Sequence, residues 1–312
     1  MRILKPVMLS KSAYRRIING SITPCLEGEW KDARNIMLVE TSCKSRPTYR
    51  AWCAVESMAQ QNPEAKVWYV MTAPAVEARD GLPPRLLQQY TNLRVVTTDL
   101  WRIFNNTPLM PLYTSGAWNI NTKWPAVNLS NMVRLALVWR VGGFYSDTDV
   151  VCISSLATLR NVVGFQLKNE INNAVFHFDR HHDLMKLMMT HFIQGFEAND
   201  WGNNGPVLLT RTLKEACERP KLAPGDQCHG VHLLSWKAFY PVPYEKWRFP
   251  FLPRKGTINF TEVFPDSYVI HMWNKMSHLQ PIFKDSGSIY DVAAKTFCPV
   301  TRAVATAHSS LY

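Results

Sequence analysis

Two aspartates, Asp147 and Asp149, stand two residues apart near the middle of the chain, after a pair of glycines. The segment that carries them, 143–153, is predicted to be a strand, and side chains at positions i and i+2 of a strand point to the same side. Paired carboxylates suit Mg²⁺ or Mn²⁺, which keep coordination positions open for water and phosphate oxygens. The spacing therefore predicts a metal–diphosphate site. A solvated strand end is the alternative for an isolated D-x-D triplet.

A buried helix is expected to position this segment. Residues 129–140 are apolar on nearly all sides, a pattern typical of a helix packed inside the core. Ser130 is placed to cap the start of the helix, and Gly142 or Gly143 to adopt the left-handed conformation at its end. The helix, the glycine turn and the carboxylates are thus expected to lie next to each other.

Asn131 and Arg134 lie three residues apart in this helix and therefore share one face. A buried arginine needs a partner, because an unpaired charge in the core is energetically costly. Two interpretations are open: Arg134 forms a structural ion pair, or it binds an anionic ligand beside the aspartates.

The first hundred residues alternate strands with helices. Apolar strand-like runs and helical stretches follow one another at 35–41, 49–60, 66–72, 84–90 and 93–97. This alternation predicts βαβ units and an α/β fold with a parallel sheet, whose ligands bind beyond the carboxyl ends of the strands. Thr41 and Ser42 follow the first strand and are therefore candidates for nucleotide contacts, or else ordinary turn residues.

The composition excludes several classes of protein. With 312 residues, of which 46% are hydrophobic, the chain is long enough for one large domain or two small ones. The net charge of +11 favours anionic partners, but the sequence contains no run of five basic residues and no nucleic-acid module. Nucleic acid is therefore not expected, whereas a membrane surface or a nucleotide diphosphate fits. No apolar run reaches the length of about 18 residues that predicts a membrane span.

Seven cysteines and four N-glycosylation sequons are compatible with a secretory compartment. The sequons begin at Asn19, Asn105, Asn128 and Asn259. Cys217 and Cys228 flank a short loop that contains proline and glycine, and they are the preferred disulfide pair. The odd number of cysteines leaves at least one thiol free or paired between chains.

The D-x-D segment and several other blocks resemble one enzyme family. Ser130-Asn-x-x-Arg134 with the Gly-Gly-Phe-Tyr-Ser-Asp-Thr-Asp run is similar to the D-x-D sugar-binding region of retaining glycosyltransferases. The closest likeness is to the animal Golgi α-1,4-glycosyltransferase family, which includes lactosylceramide 4-α-galactosyltransferases and α-1,4-N-acetylglucosaminyltransferases. Further similar blocks follow in the same order as in the family, at 38–42, 53–57, 173–178, 201–211, 238–243 and 271–275.

The resemblance implies a GT-A-type, Rossmann-like nucleotide-sugar-binding fold with a mostly parallel central sheet. It implies a single glycosyltransferase domain over residues 35–300, between a stem-like segment, 1–34, and a C-terminal tail, 301–312. Family members are type II membrane proteins of the Golgi, so a Golgi lumenal location is expected. This sequence shows no anchor, which fits a truncated, excised or soluble lumenal form. The resemblance also supports the Cys217–Cys228 pairing.

The implied reaction is metal-dependent, retaining transfer of a hexose (Gal, GalNAc or GlcNAc) from a UDP-sugar. The hexose would be joined in α-1,4 linkage to the terminal sugar of a glycolipid or glycan. Asp147 and Asp149 are the implied catalytic residues, with Asp149 ligating the metal directly and Asp147 holding the metal, the ribose or the sugar. His271 is the candidate third ligand, and its imidazole favours Mn²⁺ over Mg²⁺. A structural hydrogen bond is the alternative role for a lone histidine.

The implied donor contacts come from three places in the chain. Asn131 and Arg134 would bind hydroxyls of the donor sugar, and Thr41 and Ser42 would contact the nucleotide. Further donor contacts are expected from Trp273, Asn274 and Lys275, with Lys275 paired to the departing diphosphate. Related families usually have Asp at the position of Asn131, so donor choice or turnover is expected to differ here.

The groups near the anomeric carbon or the acceptor are less defined by the sequence. The candidates are Gln166, Glu170, Asn173, Trp201, Asn204 and Gly205. Residues 201–205 are expected to form an acceptor platform, because aromatic faces stack on sugar rings, and a core position is the alternative for Trp201. A protein nucleophile and a same-face mechanism, in which the leaving phosphate deprotonates the acceptor, are both open.

Two other functions compete with the transferase. Asp147-Thr-Asp149-Val-Val also fits the D-x-D-x-[TV] signature of haloacid dehalogenase-type phosphatases. That class needs the motif near the start of its domain, with a lysine and an acidic pair downstream. Here the motif lies near the middle of the chain, with only Gly225-Asp226 downstream. The second alternative is a catalytically inactive sugar-binding Golgi protein, which Asn131 in place of Asp would suit.

Overall fold

A mixed eight-stranded sheet forms the centre of the computed structural model, which describes residues 34–78 and 80–307. The strands are β1 Asn35–Glu40, β2 Lys66–Met71, β3 Leu93–Thr97, β4 Gly143–Ser146, β5 Val150–Cys152, β6 Val162–Leu167, β7 Glu170–Phe178, β8 Gln227–Cys228, β9 Val231–Leu234 and β10 Val269–His271. The main sheet has the order β3-β2-β1-β4-β7-β6-β9-β8, and β5 pairs with β10 in a separate antiparallel ribbon.

The direction of the strands confirms the predicted α/β fold with a mostly parallel central sheet. The pairs β3–β2, β2–β1, β1–β4 and β6–β9 are parallel, and only β7 and β8 run against the other strands of this sheet in the described residues. Parallel strands need crossover connections, and helices between β1, β2 and β3 supply them. The sequon at Asn19 and nearly all of the expected N-terminal segment, 1–33, lie outside the described residues. Of the expected C-terminal tail, residues 308–312 lie outside them, whereas 301–305 belong to a helix, Pro299–Ala305, that is bonded to Glu56.

Helices cover both faces of the sheet. They are α1 Tyr49–Gln61, α2 Leu82–Gln89, α3 Leu100–Phe104, α4 Met110–Ser115, α5 Pro125–Val141, α6 Asp183–Gln194, α7 Leu208–Ala216, α8 Trp236–Phe239, α9 Phe260–Val263, α10 Asn274–Ser277, α11 Ile289–Phe297 and α12 Pro299–Ala305. Alternate residues of β1 face opposite layers: Met37 and Val39 pack with α5, whereas Ile36 and Leu38 pack with α1. No helix of the described residues has the length and apolar character needed to cross a bilayer.

The buried helix predicted at 129–140 is α5, which begins four residues earlier, at Pro125. Proline is favoured in the first turn because its missing N–H has no partner there in any case. The expectation that Ser130 caps the helix is therefore wrong, because Ser130 lies inside it. Gly142 and Gly143 both have positive φ, 71° and 110°, so the glycine pair does end the helix and start β4.

The two aspartates do not lie in a strand, which corrects the sequence prediction. β4 ends at Ser146, and residues 147–149 form a bend that leads into β5. The bend is required because β4 belongs to the main sheet while β5 pairs with β10. Backbone hydrogen bonds fix both ends of the bend: Asp147 N donates to Ala174 O (2.8 Å) and Met272 N donates to Asp149 O (2.8 Å).

The described residues contain two disulfides, one local and one between segments far apart in the sequence. Cys217 and Cys228, the preferred pair from the sequence, are bonded across a separation of 11 residues. A second disulfide, which the sequence did not indicate, joins Cys53 in α1 to Cys298 at a separation of 245 residues. Within the described residues, Cys43 and Cys152 are free thiols.

Replacing Gly143 with alanine should destabilise the protein strongly. A Cβ at this position would collide with the carbonyl oxygen of Asn35, and the φ of 110° is unfavourable for any residue with a side chain. We expect Gly143→Ala to lower the free energy of unfolding by more than about 2 kcal/mol, measured by chemical denaturation. The control is Gly202→Ala, with φ −88° and its nearest neighbouring atom 3.9 Å away. Equal stability of the two variants would contradict this account of the turn.

Removing the long-range disulfide should cost more stability than removing the short-range one. In the chain-entropy description, closing a longer loop restricts the unfolded state more. We expect the double variant Cys53→Ala, Cys298→Ala to lose about 5 kcal/mol, and Cys217→Ala, Cys228→Ala about 2–3 kcal/mol less than that. Thermal denaturation of both variants beside the parent chain tests the order. A larger loss in the second variant would show that native-state packing, not loop closure, dominates.

Candidate active site

Three side chains with metal-binding atoms converge where the 147–149 bend meets β10. Asp147, Asp149 and His271 each offer one ligand atom, and these atoms all lie within 4.8 Å of one another. The ribbon explains this arrangement, because His271 pairs with Val150, the residue directly after Asp149. His271 is buried, and the carboxylates of Asp147 and Asp149 keep 27% and 18% of their surface exposed. The structure thus brings together the three residues proposed as metal ligands.

A tight turn after β10 holds the Asp149 carboxylate. Asn274 N donates to Asp149 Oδ2 (2.7 Å), and His271 Nε2 lies 3.4 Å from Asp149 Oδ1. Trp273 adopts a left-handed conformation with φ 53°, which is rare for a bulky residue and indicates a backbone held by its surroundings. The Trp273 N–H also donates to His271 Nδ1 (3.2 Å). The turn therefore orients both the histidine and the second aspartate.

The Asp147 carboxylate is held at one oxygen only. Its Oδ1 accepts hydrogen bonds from Tyr145 Oη (2.6 Å) and lies 3.0 Å from Arg134 Nη2. Within residues 34–78 and 80–307, no hydrogen bond reaches Oδ2. Burial raises the pKa of the Asp147 carboxyl, and the Arg134 guanidinium acts in the opposite direction. The free oxygen is therefore available to a ligand, in a side chain whose orientation is already fixed.

Arg134 forms a structural ion pair, which is one of the two interpretations left open by the sequence. It is 5% exposed, and its guanidinium stacks over the Tyr145 ring at 4.5 Å. Nη1 donates to Asn173 O (2.7 Å) and Nη2 donates to Ser130 Oγ (2.8 Å). These bonds tie α5 to β4 and β7 around Asp147. A contact between Arg134 and donor hydroxyls remains a prediction.

Asn131 lies about one turn of α5 before Arg134 and contacts the same residue of β7, Asn173. Its Oδ1 accepts a hydrogen bond from Asn173 Nδ2 (3.0 Å), and both side chains are buried. Gly205 approaches this pair so closely that a Cβ there would lie 3.0 Å from Asn173 Oδ1. The sequence candidates Asn131, Asn173 and Gly205 therefore form one packed group beside the ion pair.

Other sequence candidates are spread more widely. Thr41 Oγ1 donates to Ala126 O (2.8 Å) and so links the end of β1 to the start of α5, while Ser42 is exposed. Gln166 accepts a hydrogen bond from the Asn172 side chain. Asn204 is held by Glu197 and by α5: Nδ2 donates to Glu197 O (2.7 Å) and to Asn128 Oδ1 (3.4 Å), and Oδ1 accepts from Glu197 N (3.1 Å).

Glu170 is not brought to the aspartates. It begins β7, four residues before Ala174, whose carbonyl binds Asp147 N, and four residues of strand span about 13 Å. Glu170 instead lines a separate surface cavity of about 700 Å³ together with Arg211 and Lys214. Glu170 therefore lies apart from the aspartates along β7, and its place near the anomeric carbon or the acceptor stays a prediction.

Trp201 lies partly exposed beside two residues from other elements. Its ring meets that of Trp124 edge to face, with centroids 4.7 Å apart, and Lys275 Nζ lies 3.9 Å from the Trp201 ring centre. Trp273, in contrast, is 9% exposed and packs against His271 and Tyr240. Trp201 therefore does not occupy the core position that was its alternative, whereas Trp273, a predicted donor contact, is buried.

Sequence reasoning missed Tyr145 and Trp124. Tyr145 stands two residues before Asp147, and the period-two rule for strands could have placed its hydroxyl on the same side. Trp124 carries no local signal, because its neighbour Trp201 is distant in the chain.

Two protein-family models match this chain. Residues 48–172 match the glycosyltransferase sugar-binding region containing the DXD motif, and residues 177–305 match the α-1,4-glycosyltransferase conserved region. Human lactosylceramide 4-alpha-galactosyltransferase is 34% identical over 280 residues, which cover 86% of this chain and 76% of that protein. Human alpha-1,4-N-acetylglucosaminyltransferase is 28% identical over 285 residues, 88% of this chain and 82% of that protein.

Among solved structures, similarity is found to the galactosyltransferase LgtC in complex with donor and acceptor sugar analogs. The identity is 14% and the TM-score 0.44, over 84% of this chain and 95% of that chain. The human galactosyltransferase has a higher sequence identity, 34%, and aligns along 86% of this chain. The D-x-D bend lies inside the matched sugar-binding region, 48–172. The chain therefore belongs to the α-1,4-glycosyltransferase family.

Proposed function

We propose that this chain transfers a hexose from a UDP-sugar, with retention of the α configuration, to the 4-position of a terminal sugar on a glycolipid or glycan. The observation that carries the proposal is the convergence of Asp147, Asp149 and His271 at the end of β4. The similarity to lactosylceramide 4-alpha-galactosyltransferases supports galactose as the hexose and a lactosyl glycolipid as the acceptor. GalNAc and GlcNAc are the competing donor sugars.

The site fits a divalent cation. Two carboxylates and an imidazole with ligand atoms within 4.8 Å form a mixed oxygen and nitrogen donor set, and Asp147 Oδ2 is unengaged within the described residues. Asp149, Asp147 and His271 would hold the ion, and the imidazole favours Mn²⁺ over Mg²⁺. When bound, such an ion supplies electrostatic stabilisation of the negative charge that develops on departing UDP.

The protein groups would orient the donor around this point. Thr41 and Ser42 lie at the carboxyl end of β1, where α/β sheets bind nucleotides. Lys275 follows the residue that contacts Asp149 and is therefore placed to pair with the diphosphate. Asn131 would bind a donor hydroxyl through the amide group that now contacts Asn173. Arg134 positions Asp147 and neutralises part of its charge.

The placement of Glu170 favours the same-face mechanism. Glu170 is the one carboxylate among the candidates for the anomeric carbon, and it lies well along β7 from the aspartates. The neighbouring candidates Gln166 and Asn173 carry amides, which donate hydrogen bonds but are poor nucleophiles. The leaving phosphate would then take the proton of the attacking acceptor hydroxyl.

Of the two competing functions, one is excluded and one is kept as the second candidate. The haloacid dehalogenase-type phosphatase is excluded, because the chain belongs to a glycosyltransferase family along most of its length. An inactive sugar-binding protein is the second candidate, and Asn131 favours it because an amide cannot supply the charge of an aspartate. The two disulfides suit an oxidising compartment, which supports a location in the Golgi lumen.

Measured UDP release tests the proposal and identifies the donor. The purified chain would be incubated with Mn²⁺, methyl β-lactoside or lactosylceramide, and each of UDP-Gal, UDP-GalNAc and UDP-GlcNAc. We expect one donor to support turnover that is lost on chelation and restored by Mn²⁺. Binding of a UDP-sugar without turnover under every condition would instead support the inactive sugar-binding protein.

Asp149→Ala should abolish this turnover and leave the fold intact. The substitution removes a direct ligand and the acceptor of the Asn274 N–H bond, and we expect turnover to fall at least about 10²-fold. Asp266→Ala is the matched control, since Asp266 is exposed and pairs with Lys237 at the surface. Activity and thermal denaturation would be measured for both variants. An Asp149→Ala protein with full Mn²⁺-dependent activity would refute the assignment of the site.

A further inference from the structure

Two tryptophans and a lysine form an aromatic platform at the rim of the site, defined here as Trp124, Trp201 and Lys275. The indole rings meet edge to face, 4.7 Å between centroids and 80° between planes. Lys275 Nζ lies 3.9 Å from the Trp201 ring centre and 5.5 Å from that of Trp124. Both rings are partly exposed, so the ammonium covers aromatic surface that would otherwise face solvent.

The segments that carry the two tryptophans are fastened to each other. Thr122 Oγ1 donates to Ala198 O (2.6 Å), and Lys123 N donates to Asn199 Oδ1 (3.0 Å). Asn199 Nδ2 in turn donates to Asn121 O (2.9 Å). These bonds cross between residues more than seventy positions apart on either side of α5. The two rings are therefore held in a fixed relation before any ligand arrives.

The platform adjoins the metal-ligand cluster through the backbone. Lys275 follows Asn274, whose N–H binds Asp149 Oδ2. Trp124 precedes α5, whose residue Ala126 accepts the hydrogen bond from Thr41 at the end of β1. The platform thus lies between the carboxyl end of β1 and the turn that holds Asp149. A donor bound at the proposed site and a sugar bound on the platform would be neighbours.

We propose that Trp124 and Trp201 form the acceptor subsite for a terminal β-galactoside, and that Lys275 covers it until a donor diphosphate is bound. The proposal rests on the proposed function and assigns the acceptor side of the same site. Indole faces bury the apolar C–H face of a pyranose well, and such stacking needs an uncovered ring. In the free protein the cation–π contact of Lys275 occupies that face.

Lysine is suited to move between two partners. Its ammonium sits on a flexible four-carbon stem, and a hydrogen bond to an ionised phosphate is stronger than a contact with a neutral ring. Removal from solvent lowers the pKa of Lys275, whereas nearby Asp200 acts in the opposite direction. A diphosphate beside Asn274 would draw the ammonium away and uncover Trp201. Donor and acceptor binding would then be coupled, and the coupling is the same in both directions.

Calorimetric titration with methyl β-lactoside, with and without saturating UDP and Mn²⁺, tests the proposal. For the parent chain we expect UDP and Mn²⁺ to raise the affinity for the galactoside about fivefold or more. Lys275→Ala should bind the galactoside as tightly without UDP as the parent does with it. Lys275→Arg keeps a cation on the ring and should retain the response to UDP.

Variants of the two tryptophans test the acceptor subsite independently of the covering role of Lys275. Trp201→Ala and Trp124→Ala should each weaken galactoside binding at least fivefold while UDP and Mn²⁺ still bind, which also shows that the variants are folded. Trp101→Ala is the matched control, since Trp101 is 52% exposed on α3. It should leave galactoside binding unchanged.

Each negative result has one meaning. If the parent chain binds no UDP with Mn²⁺, the proposed function fails, whatever the platform does. If UDP binds but Trp201→Ala and Trp124→Ala bind the galactoside like the parent, the acceptor subsite is refuted. If galactoside affinity in the parent chain is the same with and without UDP, or if Lys275→Ala still responds to UDP, the covering role of Lys275 is refuted.

Discussion

The buried ion pair between Arg134 and Asp147 is the interaction on which the rest of the site depends. Arg134 is 5% exposed, so its charge would be costly to bury alone, and breaking such a pair typically costs about 3–5 kcal/mol. The pair joins the middle of α5 to the end of β4, and the Tyr145 hydroxyl shares the same carboxylate oxygen. One oxygen of Asp147 is therefore committed to these contacts, and the other accepts no hydrogen bond within the described residues.

A second constraint is the change of sheet at the D-x-D bend. β4 lies in the main sheet and β5 pairs with β10, so the chain must turn between them at residues 147–149. The same pairing places His271 opposite Val150 and next to Asp149. The change of sheet that the fold requires at residues 147–149 therefore also brings His271 next to Asp149. This arrangement lies in the mostly parallel α/β sheet that the sequence predicted, in a chain of the α-1,4-glycosyltransferase family.

The site has two sides with different physical character. On one side, α5, β7 and the glycine at 205 pack the amides of Asn131 and Asn173 against the ion pair, in a region almost without solvent. On the other side, the turn after β10 carries Lys275 out over two partly exposed tryptophans. A buried polar wall suits precise recognition of sugar hydroxyls, whereas an exposed aromatic surface suits a sugar that arrives from solvent or from a membrane.

Local sequence patterns were sufficient to predict the main helices and strands and the chemical type of the site. The apolar α5, the strand Leu93–Thr97 and the D-x-D spacing follow from periodicity and residue type, which depend on near neighbours. The contacts between distant residues could be seen only in the folded structure: Arg134 with Asp147, Cys53 with Cys298, and the ring of Trp124 with that of Trp201. In the folded chain the aspartates lie in a bend, and Glu170 lies about 13 Å along β7 from Ala174, whose carbonyl binds Asp147 N. Periodicity cannot encode such outcomes, because they depend on which sheet each strand joins.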